Sequence, residues 1–134
     1  MSRRQARQDA VCLMYEIDMQ GGGSDDILER FFNTHALNGA DAKYIDEIVK
    51  LALEHRDDID RGIEQSCGRK IKYLAKMDLA ILRIAAAEML YMPSVPYKVS
   101  IDEAVELAKR YGDDMSPTFI NGVLAGLMKQ LTKA

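Results

Sequence analysis

At 134 residues, 48% of them hydrophobic and 29% charged, the chain has the size and balance of one domain, 1–134, with a core of its own. A formal net charge of −3 excludes indiscriminate nucleic-acid binding but leaves room for a local basic patch, since a charge is screened beyond about 10 Å. Cys12 and Cys67 form no paired motif, the N-terminal residues hold no apolar signal segment, and the longest apolar run, 79–92, is too short for a bilayer and carries Arg83 and Glu88, so a reduced, cytoplasmic protein outside the membrane is expected.

Few prolines and much Ala, Leu, Ile, Met, Lys and Glu predict an all-α fold of about seven helices. Helix one is expected over 3–19, on a stripe of Ala6, Ala10, Leu13, Met14 and Ile17, and Gly21-Gly22-Gly23 stops it. Ser24 or Asp25 then caps a helix built on Ile27, Leu28, Phe31 and Phe32, which Asn38-Gly39 breaks. Asp41 is the expected cap of helix three, lined by Tyr44, Ile45, Ile48, Val49, Ala52 and Leu53. After a joint at 55–57, a polar fourth helix runs to Gly68. The stretch 69–76 holds Arg69, Lys70, Lys72 and Lys76 with no acid, and reads as a solvated face. Helix five, 79–92, is apolar nearly all round, as a central buried rod is, and Pro93 and Pro96 end it.

Ser100 and Glu103 spell a capping box that opens helix six. Ile101, Ala104, Val105, Ala108 and Tyr111 continue it at helical spacing, and Gly112 stands where a left-handed stop residue belongs. Ser116 is the expected cap of helix seven, with Pro117 at the first position, where no N–H is needed. Asn121-Gly122 weakens this helix from within, which marks either a close backbone approach or a specific partner for Asn121.

Catalytic chemistry is missing from the pattern. His35 and His55 have no companion at zinc-ligand spacing, and the glycine triplet lacks the Lys-Ser/Thr of a phosphate loop. Asp57-Asp58 and Asp113-Asp114 are neighbours in sequence, which on a helix points them about 100° apart. No enzyme, metal or cofactor is expected.

Three features can carry binding. On helix one, Arg3, Arg4 and Arg7 fall within an arc of about 100°, with Tyr15 about 20° beyond Arg4. Guanidinium groups beside a ring suit single-stranded RNA, where arginine meets phosphates and rings stack on splayed bases. A solvated helix edge with a half-buried tyrosine has the same pattern. Next, the 113–116 loop enters a helix N-terminus, whose free N–H groups attract anions, with Phe119 placed to stack on a base or to pack. Finally, Arg83 and Glu88 are five residues apart on the apolar rod, about 140° round its axis. At least one must reach a rim, an internal partner or another protein.

The run Pro96-Tyr97-Lys98-Val99-Ser100-Ile101-Asp102-Glu103-Ala104, continuing to Tyr111-Gly112 and then Ser116-Pro117-Thr118-Phe119-Ile120-Asn121-Gly122-Val123-Leu124, resembles the NusB family of bacterial transcription antitermination proteins. Residues 77–90 are similar to the family's central helix, and the arginine-bearing first helix to its start. The resemblance implies two small helical bundles packed together. It implies a non-enzymatic role on the RNA polymerase elongation complex, binding boxA-type RNA of ribosomal RNA leaders jointly with a ribosomal protein, NusE. It implies RNA contact for Arg4, Arg7, Tyr15, Ser116 and Phe119, to which the arc on helix one adds Arg3, and a partner-binding role for Glu88. Gln5, Ala87 and Met115 depart from some relatives. Two rival readings remain: a helical protein–protein adaptor or homodimer with incidental RNA contact, and the leading domain of an RNA cytosine methyltransferase, whose cofactor domain this sequence lacks.

Overall fold

The apolar stripes read from the sequence become buried helix faces. The structure, a computed structural model, describes residues 3–133; Met1, Ser2 and Ala134, which belong to the expected domain, lie outside the described residues. Seven α-helices follow in order: α1 Arg3–Gln20, α2 Ser24–Thr34, α3 Gly39–Glu54, α4 Arg56–Cys67, α5 Lys76–Tyr91, α6 Tyr97–Tyr111 and α7 Ser116–Thr132. One 3-10 turn, Ile71–Tyr73, precedes α5, and there is no strand among the described residues. Among those residues, no helix is long and apolar enough to cross a membrane.

α5 organises the molecule. Residues 78–89 are all buried, so every side of this helix faces protein. α1 and α3 pack on it together, with α2 against α1; α4, α6 and α7 pack on it as a second group. Two small helical groups thus share one rod, and one core runs through both, from Ala6 to Leu127. Ala85, Ala86 and Ala87 carry little bulk at its centre, which lets the flanking axes approach.

Several helix ends differ from expectation, each for a local reason. Gly21, Gly22 and Gly23 all take positive φ (72°, 141° and 74°), which explains the triplet. Helix three is capped by Asn38, not Asp41: the Asn38 side-chain oxygen accepts the Asp41 N–H at 2.8 Å, and its amide donates to the Asp41 carboxylate at 2.8 Å. The joint before α4 is His55 alone. α5 starts at Lys76, three residues early.

The capping box at Ser100 does not form. Pro96 flanks α6, and its carbonyl already accepts the N–H groups of Val99 and Ser100. Ser100 and Glu103 therefore lie inside the helix and turn to partners elsewhere. Gly112 is extended (φ −91°, ψ −172°) rather than left-handed. It is small for another reason: a Cβ there would lie 2.5 Å from the Ser116 side chain and 2.9 Å from the Ala108 carbonyl oxygen. Asn121 and Gly122 are exposed, and nothing approaches Gly122 within 4 Å. The close approach is one turn on, at Gly126, beside Ser66 of α4, whose hydroxyl donates to the Val123 carbonyl.

Candidate nucleic-acid interface

A buried polar hub fixes the N-terminal end of α1. Glu88 is 1% exposed, so it is not a surface contact for a partner as expected. Its carboxylate accepts from the Arg7 guanidinium at 2.9 Å, from the Tyr44 hydroxyl, and from the Ser100 hydroxyl at 2.6 Å. One acid on α5 thereby joins α1, α3 and α6. Arg7, 8% exposed, is correspondingly withdrawn from solvent rather than free on an RNA-facing edge. Burial by itself lowers the Arg7 pKa; the Glu88 carboxylate reverses that and holds it above the ordinary arginine value. Burial, then the Glu88 charge, push the Tyr44 pKa far up, which keeps its hydroxyl a donor. Arg83, the other charge on the rod, is held by Asp60 through two bonds of 2.9 Å, with Asp18 at 3.5 Å. Both charges thus found internal partners.

Arg4 stays exposed, one turn before Arg7, and its Nε donates to both Glu103 oxygens at 3.1 and 3.2 Å. Further along, the side chains of Cys12 and Tyr111 meet. Arg4 beside Glu103 and Cys12 beside Tyr111 make α1 and α6 run parallel. Eight residues of α6 separate the two contacts, about 12 Å of helix. Between them lies a cleft of about 300 Å³ lined by Arg4, Gln8, Glu106, Lys109 and Arg110. Arg110 ends this edge with its guanidinium 5.5 Å from the Tyr111 ring centre. Tyr15, three residues past Cys12 and so on the same side of α1, is half-buried against the core. Arg3 leaves this edge: it lies over the Tyr44 ring at 4.2 Å and 3.7 Å from Asp41, toward α3.

Past Gly112 lies a separate groove at the start of α7. Ser116, expected to touch RNA, is 2% exposed. Its hydroxyl accepts the Asp113 N–H at 3.0 Å, while the Asp113 carboxylate accepts the N–H groups of Met115 at 2.9 Å and Ser116 at 3.1 Å. The pair locks the turn, and Asp113 does the capping assigned to Ser116. Phe119 is half-buried and remains accessible in a groove of about 500 Å³, with Arg69, Tyr73, Asp78 and Met115 around it. Burial raises the Asp78 pKa; the Ser116 hydroxyl opposes the rise, the Asp113 charge adds to it and Arg69 lowers it.

The structure leaves Arg4 exposed at the cleft between α1 and α6, and Tyr15 and Phe119 half-buried, Phe119 in the separate groove at the start of α7. It withdraws Arg7, Ser116 and Glu88 into supporting roles and sends Arg3 elsewhere. Sequence reading missed Arg69, whose guanidinium lies 5.3 Å from the Phe119 ring centre. The only signal was an acid-free basic stretch, and nothing in it pointed to a ring fifty residues on.

A model described as the NusB family matches residues 4–129. The transcription antitermination protein NusB of Finegoldia magna is 40% identical, over 100% of this chain and 98% of its own length. That of Bacillus subtilis is 36% identical over 100% of both chains. Among solved structures, T. maritima NusB is similar with a TM-score of 0.88 at 27% identity, over 97% of this chain and 92% of that one. A crystal structure of antitermination factors NusB and NusE in complex with dsRNA gives 0.86 at 26% identity, over 97% of this chain and 99% of that one.

Proposed function

The chain belongs to the NusB family, and from that premise we propose that it is a transcription antitermination factor that binds boxA-type RNA of ribosomal RNA leaders together with the NusE ribosomal protein. It acts on the RNA polymerase elongation complex in the cytoplasm and makes or breaks no bond. The observation that carries this reading is a pair of accessible places, the α1–α6 cleft with Arg4 and Arg110 beside Tyr111 and the groove that holds Phe119. It combines guanidinium groups with rings accessible to bases, the chemistry that single strands require.

Arg4, Tyr15 and Phe119 are the RNA-contacting side chains. Arg7 and Glu88 hold α1 against α5, and Ser116 shapes the turn that presents Phe119. These three are positioning residues. A net-acidic globule with one short basic edge binds RNA weakly alone, and a partner lengthens the contact.

Footprinting on a ribosomal RNA leader, with and without NusE, tests the reading. Protection of the boxA segment is expected when both proteins are present. Identical protection by NusE alone would leave this chain no role on the RNA and turn the case toward a protein–protein adaptor.

A further inference from the structure

Positive charge is unevenly available on this surface. On α1, Arg3, Arg4 and Arg7 each already hold a carboxylate. Arg69, Lys70 and Lys72 differ: all are exposed, and none makes an ion pair among the described residues. A phosphate arriving at an ion-paired arginine must displace a carboxylate, whereas a free lysine exchanges only water and counterions. Of these two places, 69–72 therefore offers a polyanion more uncompensated charge than the N-terminus.

The same place exposes apolar surface. Tyr73 is 66% and Met115 71% exposed, both beside the Phe119 groove. Arg69 covers the Phe119 ring and donates weakly to the Tyr73 carbonyl at 3.4 Å, so no ion pair holds it in place. Lys72 stands 5.1 Å from the Tyr73 ring centre. The groove floor is acidic, through Asp78 and Asp113. That floor repels phosphate but accepts a flat base, whose amino groups can donate to it. Cations on the rim, rings on the wall and carboxylates below match a single nucleic-acid strand with its backbone outward and its bases inward.

We propose that residues 69–73 form a second RNA-binding arm, in which Arg69 and Phe119 clamp one base, Tyr73 stacks on another, and Lys70 and Lys72 neutralise the adjoining phosphates. This rests on the RNA-binding function proposed above and adds an element that function did not include.

Anisotropy titrations of a labelled boxA-type RNA oligomer, with NusE present and over a salt series, test the arm. The pair Lys70→Gln with Lys72→Gln removes two contacts. The log–log salt slope then flattens by about 1.4, and affinity at 0.1 M salt falls about 25-fold. Tyr73→Ala costs about tenfold in affinity with the slope unchanged. Lys43→Gln with Lys50→Gln, on α3, leaves the slope as in the parent protein. All substituted side chains are exposed, so the fold is kept, and melting curves verify this. An unchanged slope in the 70/72 pair, with the parent still binding, overturns the arm and leaves the function standing. Equal flattening by the α3 pair also overturns it. If the parent protein adds nothing to NusE, both arm and function fall.

Discussion

Glu88 shows what a single side chain can reveal in sequence and what it cannot. A carboxylate on an apolar rod must find partners, and that much is legible. Its partners lie 81, 44 and 12 residues away, at Arg7, Tyr44 and Ser100, and no local pattern encodes such pairings. Removing the acid leaves the buried Arg7 charge with only the longer contact to Glu103, at 3.8 Å, so Glu88→Ala is expected to destabilise the fold by about 3 kcal/mol in urea unfolding. Replacing both, Arg7→Met with Glu88→Leu, should recover part of that loss: it removes the unbalanced charge, while the buried Tyr44 and Ser100 hydroxyls still lose their acceptor. A double variant no more stable than Glu88→Ala would mean that the hub contributes more than the avoidance of a lone charge. Asp78 supplies a pH signature. Its folded pKa lies above the ordinary 3.8, so between the two values the folded state binds the proton more readily, and stability falls as pH rises. Asp78→Asn removes this cost. It should raise the melting temperature at pH 7 and have no such effect below about pH 3.8, where both states are protonated.

Elements were more legible than their ends. Each helix has an apolar stripe that only a helix can bury, and those stripes extend over many residues. A terminus depends on one or two side chains, and at Ser100 and Gly112 tertiary contacts claimed them. Two glycines in the C-terminal region separate these influences. Gly122 is exposed in mid-helix with open space around it, so Gly122→Ala should stabilise α7 by about 0.5–1 kcal/mol, seen as a melting temperature about 2–4 °C higher. Gly112→Ala should do the opposite, because its Cβ meets the Ser116 side chain and the Ala108 carbonyl. It shifts the turn that presents Phe119, so RNA affinity is expected to fall along with stability. If Gly112→Ala melts higher than the parent, the steric reading of that turn is wrong.

For the molecule as a whole, the deciding quantity is the number of cations that no acid has already neutralised, rather than net charge. The sequence showed a basic first helix and treated its arginines as available. Folding pairs Arg4 with Glu103 and buries Arg7, which leaves the α1 end of the edge nearly balanced. Glu103 is therefore expected to restrain RNA binding, a role that no reading of its own helix discloses. Neutralising it, Glu103→Gln, frees Arg4 for a phosphate. One added contact steepens the log–log salt slope by about 0.7 and raises affinity about fivefold at 0.1 M salt. Arg4→Gln in the otherwise unchanged protein should move the slope much less, since it removes a charge already compensated. In the doubly neutralised protein, the slope should return to the parent value. If Glu103→Gln leaves the slope unchanged while the RNA still binds, the strand does not reach α1, and the whole contact lies between Arg110 and the groove of Phe119.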